Sequence, residues 1–191
     1  MVPKSGRSAA LRAMGPDDLP AVLDAQEAGG VLGLAEVFPQ DRYPFPRQAI
    51  HARWLQEIES PDIDCQVVLV GAVVVGFVAI RGDELLHFGI APEHWGSGIA
   101  QAAHDAVLAR MVAAGTERAW LAVFTANRRG RRFYERLGWR PTDVTTRSTY
   151  PPHAELRRYE RDLLETEAGA TGQPPPVSEA EAVECPPKAL G

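Results

Sequence analysis

The chain has 191 residues and a mass of 20.8 kDa, with 45% hydrophobic residues, 24% charged residues and a formal net charge of −5. That composition and length suit one globular domain, and the longest apolar run, Val67 to Val75 around Gly71, is far short of the ~20 residues a membrane helix needs. An acidic whole lacks the positive field that non-specific nucleic-acid binders use, and no apolar segment follows Lys4 and Arg7, so a cytoplasmic protein without membrane or nucleic-acid partners is expected.

Along the chain, residues 1–7 read as an unstructured start, residues 8–165 as the folded domain, and residues 166–191 as a disordered Pro/Glu-rich tail without an aromatic side chain. Within the domain, Ala9 to Met14 is a short strand. Pro16, Asp17 and Asp18 mark a helix start that should run to Gly29 and Gly30. Residues 31–46 hold three prolines and the aromatics Phe38, Tyr43 and Phe45, the pattern of an anchored loop. Ile50, Trp54 and Ile58 are spaced by four and place a helix over Arg47 to Ser60, stopped by Pro61. Gln66 to Val70 and Val73 to Arg81 form a hairpin across Gly71-Ala72, and Glu84 to Ile90 is the next strand. Ile99, Ala103, Val107 and Met111 define a helix from Ile99 to Ala114, closed by Gly115. Ala119 to Phe124 is a strand, Asn127 to Leu137 a helix, and Trp139 to Arg147 and Glu155 to Leu163 are the last two strands. The order βααβββαβαββ is that of an α/β fold.

Cys65 and Cys185 are too few for a zinc cage or a disulfide framework, so no metal is expected. The chemistry concentrates where the strand ending at Ile90 passes through Ala91-Pro92-Glu93-His94-Trp95-Gly96-Ser97-Gly98 into the Ile99 helix. Such a turn aims free backbone N–H groups and the positive end of the helix dipole at one point, and glycines let an anion approach. A P-loop would need Lys before the helix, and a dinucleotide turn would need Gly or Ala where Gln101 stands. A second group, Asn127, Gly130 and Tyr134, shares one face of its helix, with Phe133 and Leu137 on a neighbouring stripe and Gly138 at its end.

Trp95-Gly96-Ser97-Gly98-Ile99-Ala100 resembles the acetyl-coenzyme A loop of the GCN5-related N-acetyltransferases, Gln/Arg-x-x-Gly-x-Gly/Ala, with Trp95 in place of Gln or Arg. Asn127 to Trp139 is similar to the second motif of that family, an Asn, a small residue three later, then Tyr-Glu-x-Leu-Gly-Phe. The resemblance covers about residues 8–164. It implies a mixed, mostly antiparallel central sheet flanked by helices, acetyl-coenzyme A as cosubstrate, and direct transfer of acetyl to a primary amine. It further implies a cofactor site made by Gly89, Ile90, Trp95, Gly96, Ser97, Gly98, Ile99, Ala100 and Asn127.

Tyr134 occupies the position of the family's thiolate-protonating tyrosine. Amides near Gly89 and Ile90 would face the developing oxyanion, with Gly89 as the bulge that splays the strand. Glu84, six residues before Ile90, matches a glutamate used as base in histone-type members. His87 is the rival base, since an imidazole titrates near neutral pH. His94 and His104 read as solvated. The five arginines at 128, 129, 131, 132 and 136 could reach the 3′-phosphate of coenzyme A, though for most of them a solvated helix face is the better reading. A small-molecule amine is the preferred acceptor, held near Glu36, Asp41, Phe38, Tyr43, Phe45 and Trp54. A protein N-terminus or lysine, an acyl-coenzyme A-binding module without turnover, and an RNA-binding adaptor are the alternatives. A homodimer through the late strands fits the pattern.

Overall fold

The computed structural model describes residues 9–164, so the expected disordered segments at 1–7 and 166–191, with Cys185, lie outside the described residues. The elements are β1 (Ala10–Ala13), α1 (Leu19–Gly33), α2 (Arg47–Glu59), β2 (Asp64–Val70), β3 (Val73–Arg81), β4 (Glu84–Ile90), α3 (Ile99–Ala113), β5 (Arg118–Phe124), α4 (Arg128–Arg136), β6 (Arg140–Arg147) and β7 (Glu155–Asp162). Their order is the expected one.

The strands form one seven-stranded sheet in the order β1-β2-β3-β4-β5-β7-β6, and every neighbouring pair is antiparallel except β4 with β5. Alternation of apolar side chains divides the core between the two faces. On one face Leu19, Val22 and Leu23 of α1 and Ile50 and Trp54 of α2 pack on Cys65, Val67, Phe77 and Ala79. On the other, Ile99, Ala103, Val107 and Met111 of α3 pack on Val75, Val78, Leu85, Ile90 and Leu121, joined by Trp139 and Tyr159. The Cys65 thiol is buried and free, and burial pushes its pKa up to about 12, so it stays protonated. β6 forms one border of the sheet and is exposed along most of its length.

Two ends of the first helical segment and one strand register differ from expectation for physical reasons. A turn of 3-10 helix over Pro16–Asp18 precedes α1, with Asp18 accepting from the Gly15 amide (2.8 Å) and pairing with Arg12 (2.6 Å). α1 does not stop at Gly29 and Gly30 but continues to Gly33. The helix runs on because this stretch packs on neighbours: a Cβ on Gly30 would lie 3.6 Å from the Phe45 ring, and one on Gly33 would lie 3.5 Å from the Trp95 ring, both ordinary contact distances. Finally, Ala79 of β3 faces His87 while Ile80 faces Leu85, which leaves Leu86 as the extra, bulged residue of β4.

The bulge was expected at Gly89. Gly89 instead pairs regularly with Phe77, and a Cβ there would sit 2.3 Å from the Phe77 ring, so the glycine makes room for that ring. The extra residue at Leu86 has its own consequence. Leu86 joins the α1 and α2 core and His87 also faces α2, while Phe88 turns to the α3 side, where it stacks on Phe133.

The parallel neighbours β4 and β5 share a single residue pair, Glu84 with Trp120, supported by the Trp120 amide donating to Asp83 (2.9 Å). From there to Ile90 the two strands share no ladder, and a wedge opens toward their C-terminal ends. Those ends lead into the glycine turn before α3 and the start of α4.

Candidate active site

The turn between β4 and α3 builds a cradle of amides. Gly96 and Gly98 have φ of +76° and +88°, a region closed to most side chains, and a Cβ on either would meet nothing within 4 Å. Conformation, not crowding, requires these glycines, and the space above them is open. The amides of Gly96, Gly98, Ala100 and Gln101 have no acceptor among the described residues; Ile99 N–H reaches only Ser97 Oγ at 3.4 Å, and Ser97 Oγ itself donates to His94 O at 2.5 Å. Four unpartnered donors in the glycine turn and at the positive end of a 15-residue helix fit a diphosphate.

Trp95 does not point into that cradle. Its indole N–H donates to Ile90 O (2.8 Å), its ring lies against Gly29 and Gly33 of α1, and Arg129 of α4 stacks over it with Cζ 3.6 Å from the ring centroid. The residue that departs from the family motif thus closes over the end of β4.

Along β4, the Ala91 amide donates to Val75 O of β3 at 2.8 Å. Strand alternation then turns the amide of Gly89 toward β3 and those of Ile90 and Phe88 toward the wedge. The Ile90 amide therefore faces the wedge, that of Gly89 does not, and Phe88 places a second amide there that the sequence reading missed.

The two candidate bases separate. Glu84 is buried at the closed end of the wedge, about 20 Å along the strand from Ile90 at about 3.3 Å per residue. Its Oε2 accepts from Arg81 Nη2 (2.5 Å) and Nε (3.1 Å). His87 stands midway along the open edge, edge-on to Trp54 at 5.2 Å, with Nε2 2.9 Å from Glu57 Oε1 of α2. Burial lowers the His87 pKa below its ordinary value, and the hydrogen bond to Glu57 opposes that shift. With Glu57 as acceptor, His87 carries its proton on Nε2 and its lone pair on Nδ1, which has no partner among the described residues. Arg53 Nε lies 3.4 Å from Glu57 Oε1, while Arg53 Nε and Nη2 and Glu57 Oε2 are buried without hydrogen bonds.

On the far side of the wedge, Asn127 caps α4 by accepting from the Gly130 amide at 2.9 Å. A Cβ on Gly130 would lie 2.5 Å from Asn127 Nδ2, which explains why the motif holds its smallest residue there. Tyr134 packs against His104, Phe133 and Trp139, its hydroxyl has no hydrogen bond among the described residues, and burial raises its pKa above the ordinary tyrosine value. His104 is not solvated: it is fully buried and its Nε2 accepts from Trp139 Nε1 at 2.9 Å. Burial pushes its pKa down to about 4. Arg131 is also structural, bonding Tyr159 Oη (3.2 Å) and Thr125 O (3.1 Å).

With this geometry in place, the sequence matches the acetyltransferase (GNAT) family over residues 19–139, well over half of the chain. The chain belongs to the GNAT acetyltransferase family. Solved structures support the GNAT fold: a GCN5-related N-acetyltransferase from Rhodopseudomonas palustris aligns with a TM-score of 0.70 at 16% identity, covering 85% of this chain and 98% of that one. The PaiA N-acetyltransferase of Thermoplasma acidophilum, solved in complex with coenzyme A, aligns at 0.59 and 17% identity over 79% and 98% of the two chains. A spermidine N-acetyltransferase, SpeG, from Vibrio cholerae aligns at 0.62 and 16% identity over 82% and 94%. No curated protein matches the sequence. No helix among the described residues is long and apolar enough to cross a membrane.

In this GNAT domain the loop between α1 and α2 reaches across the wedge: Phe38 meets Phe124 at the end of β5 edge-on at 5.2 Å. Of the other aromatics expected to line an acceptor site, Phe45 packs on Gly30, Tyr43 is half-buried, and Trp54 is fully buried with its indole N–H on Gln26 Oε1 (2.8 Å). Trp54 is therefore core. Glu36 and Asp41 are exposed. Glu57 escaped the sequence reading although it had a signal, because it sits three residues after Trp54 and seven after Ile50, on the face the apolar period reserves for the core.

Proposed function

We propose that this protein is an acetyl-coenzyme A-dependent N-acetyltransferase that acts on a primary amine of a small molecule. The observation that carries this reading is the pairing of four unpartnered amides at the start of α3 with the open, unladdered edge of β4 directly before them. An extended ligand bearing a diphosphate at one end suits both features. A neighbour solved with coenzyme A and another acting on spermidine support the choice of cosubstrate and acceptor class.

Bound acetyl-coenzyme A would supply a thioester carbonyl and a thiolate leaving group. The amides of Phe88 and Ile90 would donate to negative charge that develops on an oxygen in the wedge. His87, neutral through burial, takes the proton of the incoming ammonium at Nδ1, and Glu57 holds its tautomer and orientation from behind. As the C–N bond forms and the C–S bond breaks, Tyr134, protonated at neutral pH, would give its proton to the departing sulfur, and the second proton shed by the new amide nitrogen would restore the phenol. Asn127 fixes the start of α4 and so the placement of Tyr134 two turns later. The distance of Glu84 from the open end and its pairing with Arg81 favour His87 as the base.

The test is thiol release from acetyl-coenzyme A with a panel of diamines, polyamines, amino acids and aminoglycosides, alongside N-terminal and lysine peptides. Amine-dependent release with small acceptors is expected. Coenzyme binding without release by any acceptor would instead mark a binding module.

A further inference from the structure

The cradle lacks something. Trp95 stands where the loop motif carries Gln or Arg, and its single polar atom is used up on Ile90 O (2.8 Å), so the loop offers a diphosphate amides but no side-chain donor. Across the wedge, Arg129 lies flat on the Trp95 ring at 3.6 Å. It is exposed, and its pKa is lowered by desolvation without any carboxylate beside it. A guanidinium keeps its charge in such a place, and stacking leaves its N–H edge free to donate.

A second, independent feature points the same way. α4 begins with Asn127, Arg128 and Arg129 and has no acidic residue in its first turn. Cations at the positive end of a helix dipole are unfavourable unless an anion joins them. α4 therefore carries a positive start without an acidic partner in its first turn, and through Arg129 it reaches the ring of Trp95, the residue directly before the glycine turn of α3.

We infer that Arg129, held on the face of Trp95, binds the diphosphate of coenzyme A and supplies from α4 the cationic side chain that the loop lacks at position 95. Trp95 is the positioning residue: it fixes the guanidinium by its face while its N–H anchors the indole to the end of β4. This rests on the proposed acetyl-coenzyme A reading.

Calorimetric titration of the full chain with coenzyme A and with dephospho-coenzyme A, which keeps the diphosphate and lacks the 3′-phosphate, tests it. Arg129→Ala should weaken both ligands by the same factor, about tenfold for one charge-assisted contact. Arg129→Lys should recover only part, since an ammonium lacks the flat fork. Trp95→Leu should weaken binding as well, and adding Arg129→Ala in that background should cost clearly less than in the wild type. A loss confined to coenzyme A would place Arg129 on the 3′-phosphate and overturn the inference, as would unchanged affinity for both ligands or strictly additive variants. Arg129 is exposed, so unchanged melting of Arg129→Ala is expected and serves as the folding control. If the wild type binds neither ligand, the acetyl-coenzyme A reading itself fails, an outcome distinct from these.

Discussion

Replacing His104 with Gln tests how the buried aromatic cluster beside Tyr134 is held together. His104 is fully buried, Trp139 donates to its Nε2 at 2.9 Å, and burial lowers its pKa from 6.5 to about 4. As pH falls below 6.5 the unfolded chain takes up a proton that the folded chain refuses until about 4. The contribution is thus fully present above 6.5, is lost as pH falls toward 4, and is flat below that. A gap of about 2.5 units at about 1.36 kcal/mol each amounts to about 3 kcal/mol. Gln keeps an acceptor for the Trp139 N–H, so the variant does not leave that donor buried and unpaired, a defect worth about 1–3 kcal/mol at any pH. Urea unfolding followed by circular dichroism from pH 7.5 to pH 4 should show the wild type losing about 3 kcal/mol more than His104→Gln across this window. A stability difference between the two that stays constant over the range would refute the reasoning.

Tyr134→Phe should leave folding and coenzyme affinity unchanged, because the hydroxyl has no hydrogen bond among the described residues, while amine-dependent turnover falls by about 10²-fold; equal turnover in a thiol-release assay would remove Tyr134 from the acid role. Glu57→Gln removes the group that opposes the burial shift of His87, so the acid limb of the kcat/KM profile should move to lower pH and kcat should drop; an unmoved limb would separate Glu57 from catalysis. Gly76→Ala would place a Cβ 2.3 Å from Gly89 O and 2.6 Å from Ile90 Cδ1, so it should cost about 1–3 kcal/mol in thermal or urea unfolding and weaken coenzyme binding by disturbing the end of β4.

Much of the fold can be read from residue spacing. The hairpin strand Val73–Arg81 and its successor Glu84–Ile90 match expectation at both ends because β-branched residues stop at tight turns, at Gly71 and Gly82, both with positive φ. What escaped depends on partners distant in the chain. Gly29 and Gly30 look like a helix end until Phe45 and Trp95 are seen to press on that helix. His104 falls between Ala100 and Leu108 on a second stripe of α3, a position that is buried only because β4, α4 and Trp139 close over it. The shift at Leu86 leaves no mark in composition, yet it decides that His87 meets Glu57 on α2. Of the five arginines, residue spacing could not separate Arg131, spent on Tyr159 and Thr125, from Arg129, spent on a ring.

The indole of Trp95 makes the rim of the wedge chemically one-sided. By bonding to the carbonyl of Ile90, it occupies the outermost acceptor of that edge and leaves the amide of the same residue bare. A strand border normally offers both kinds of group in alternation and so invites another strand. Here the outermost position offers a donor whose matching acceptor is already engaged, which favours a carbonyl oxygen there, while the backbone behind it at Phe88 still offers both groups to an extended ligand.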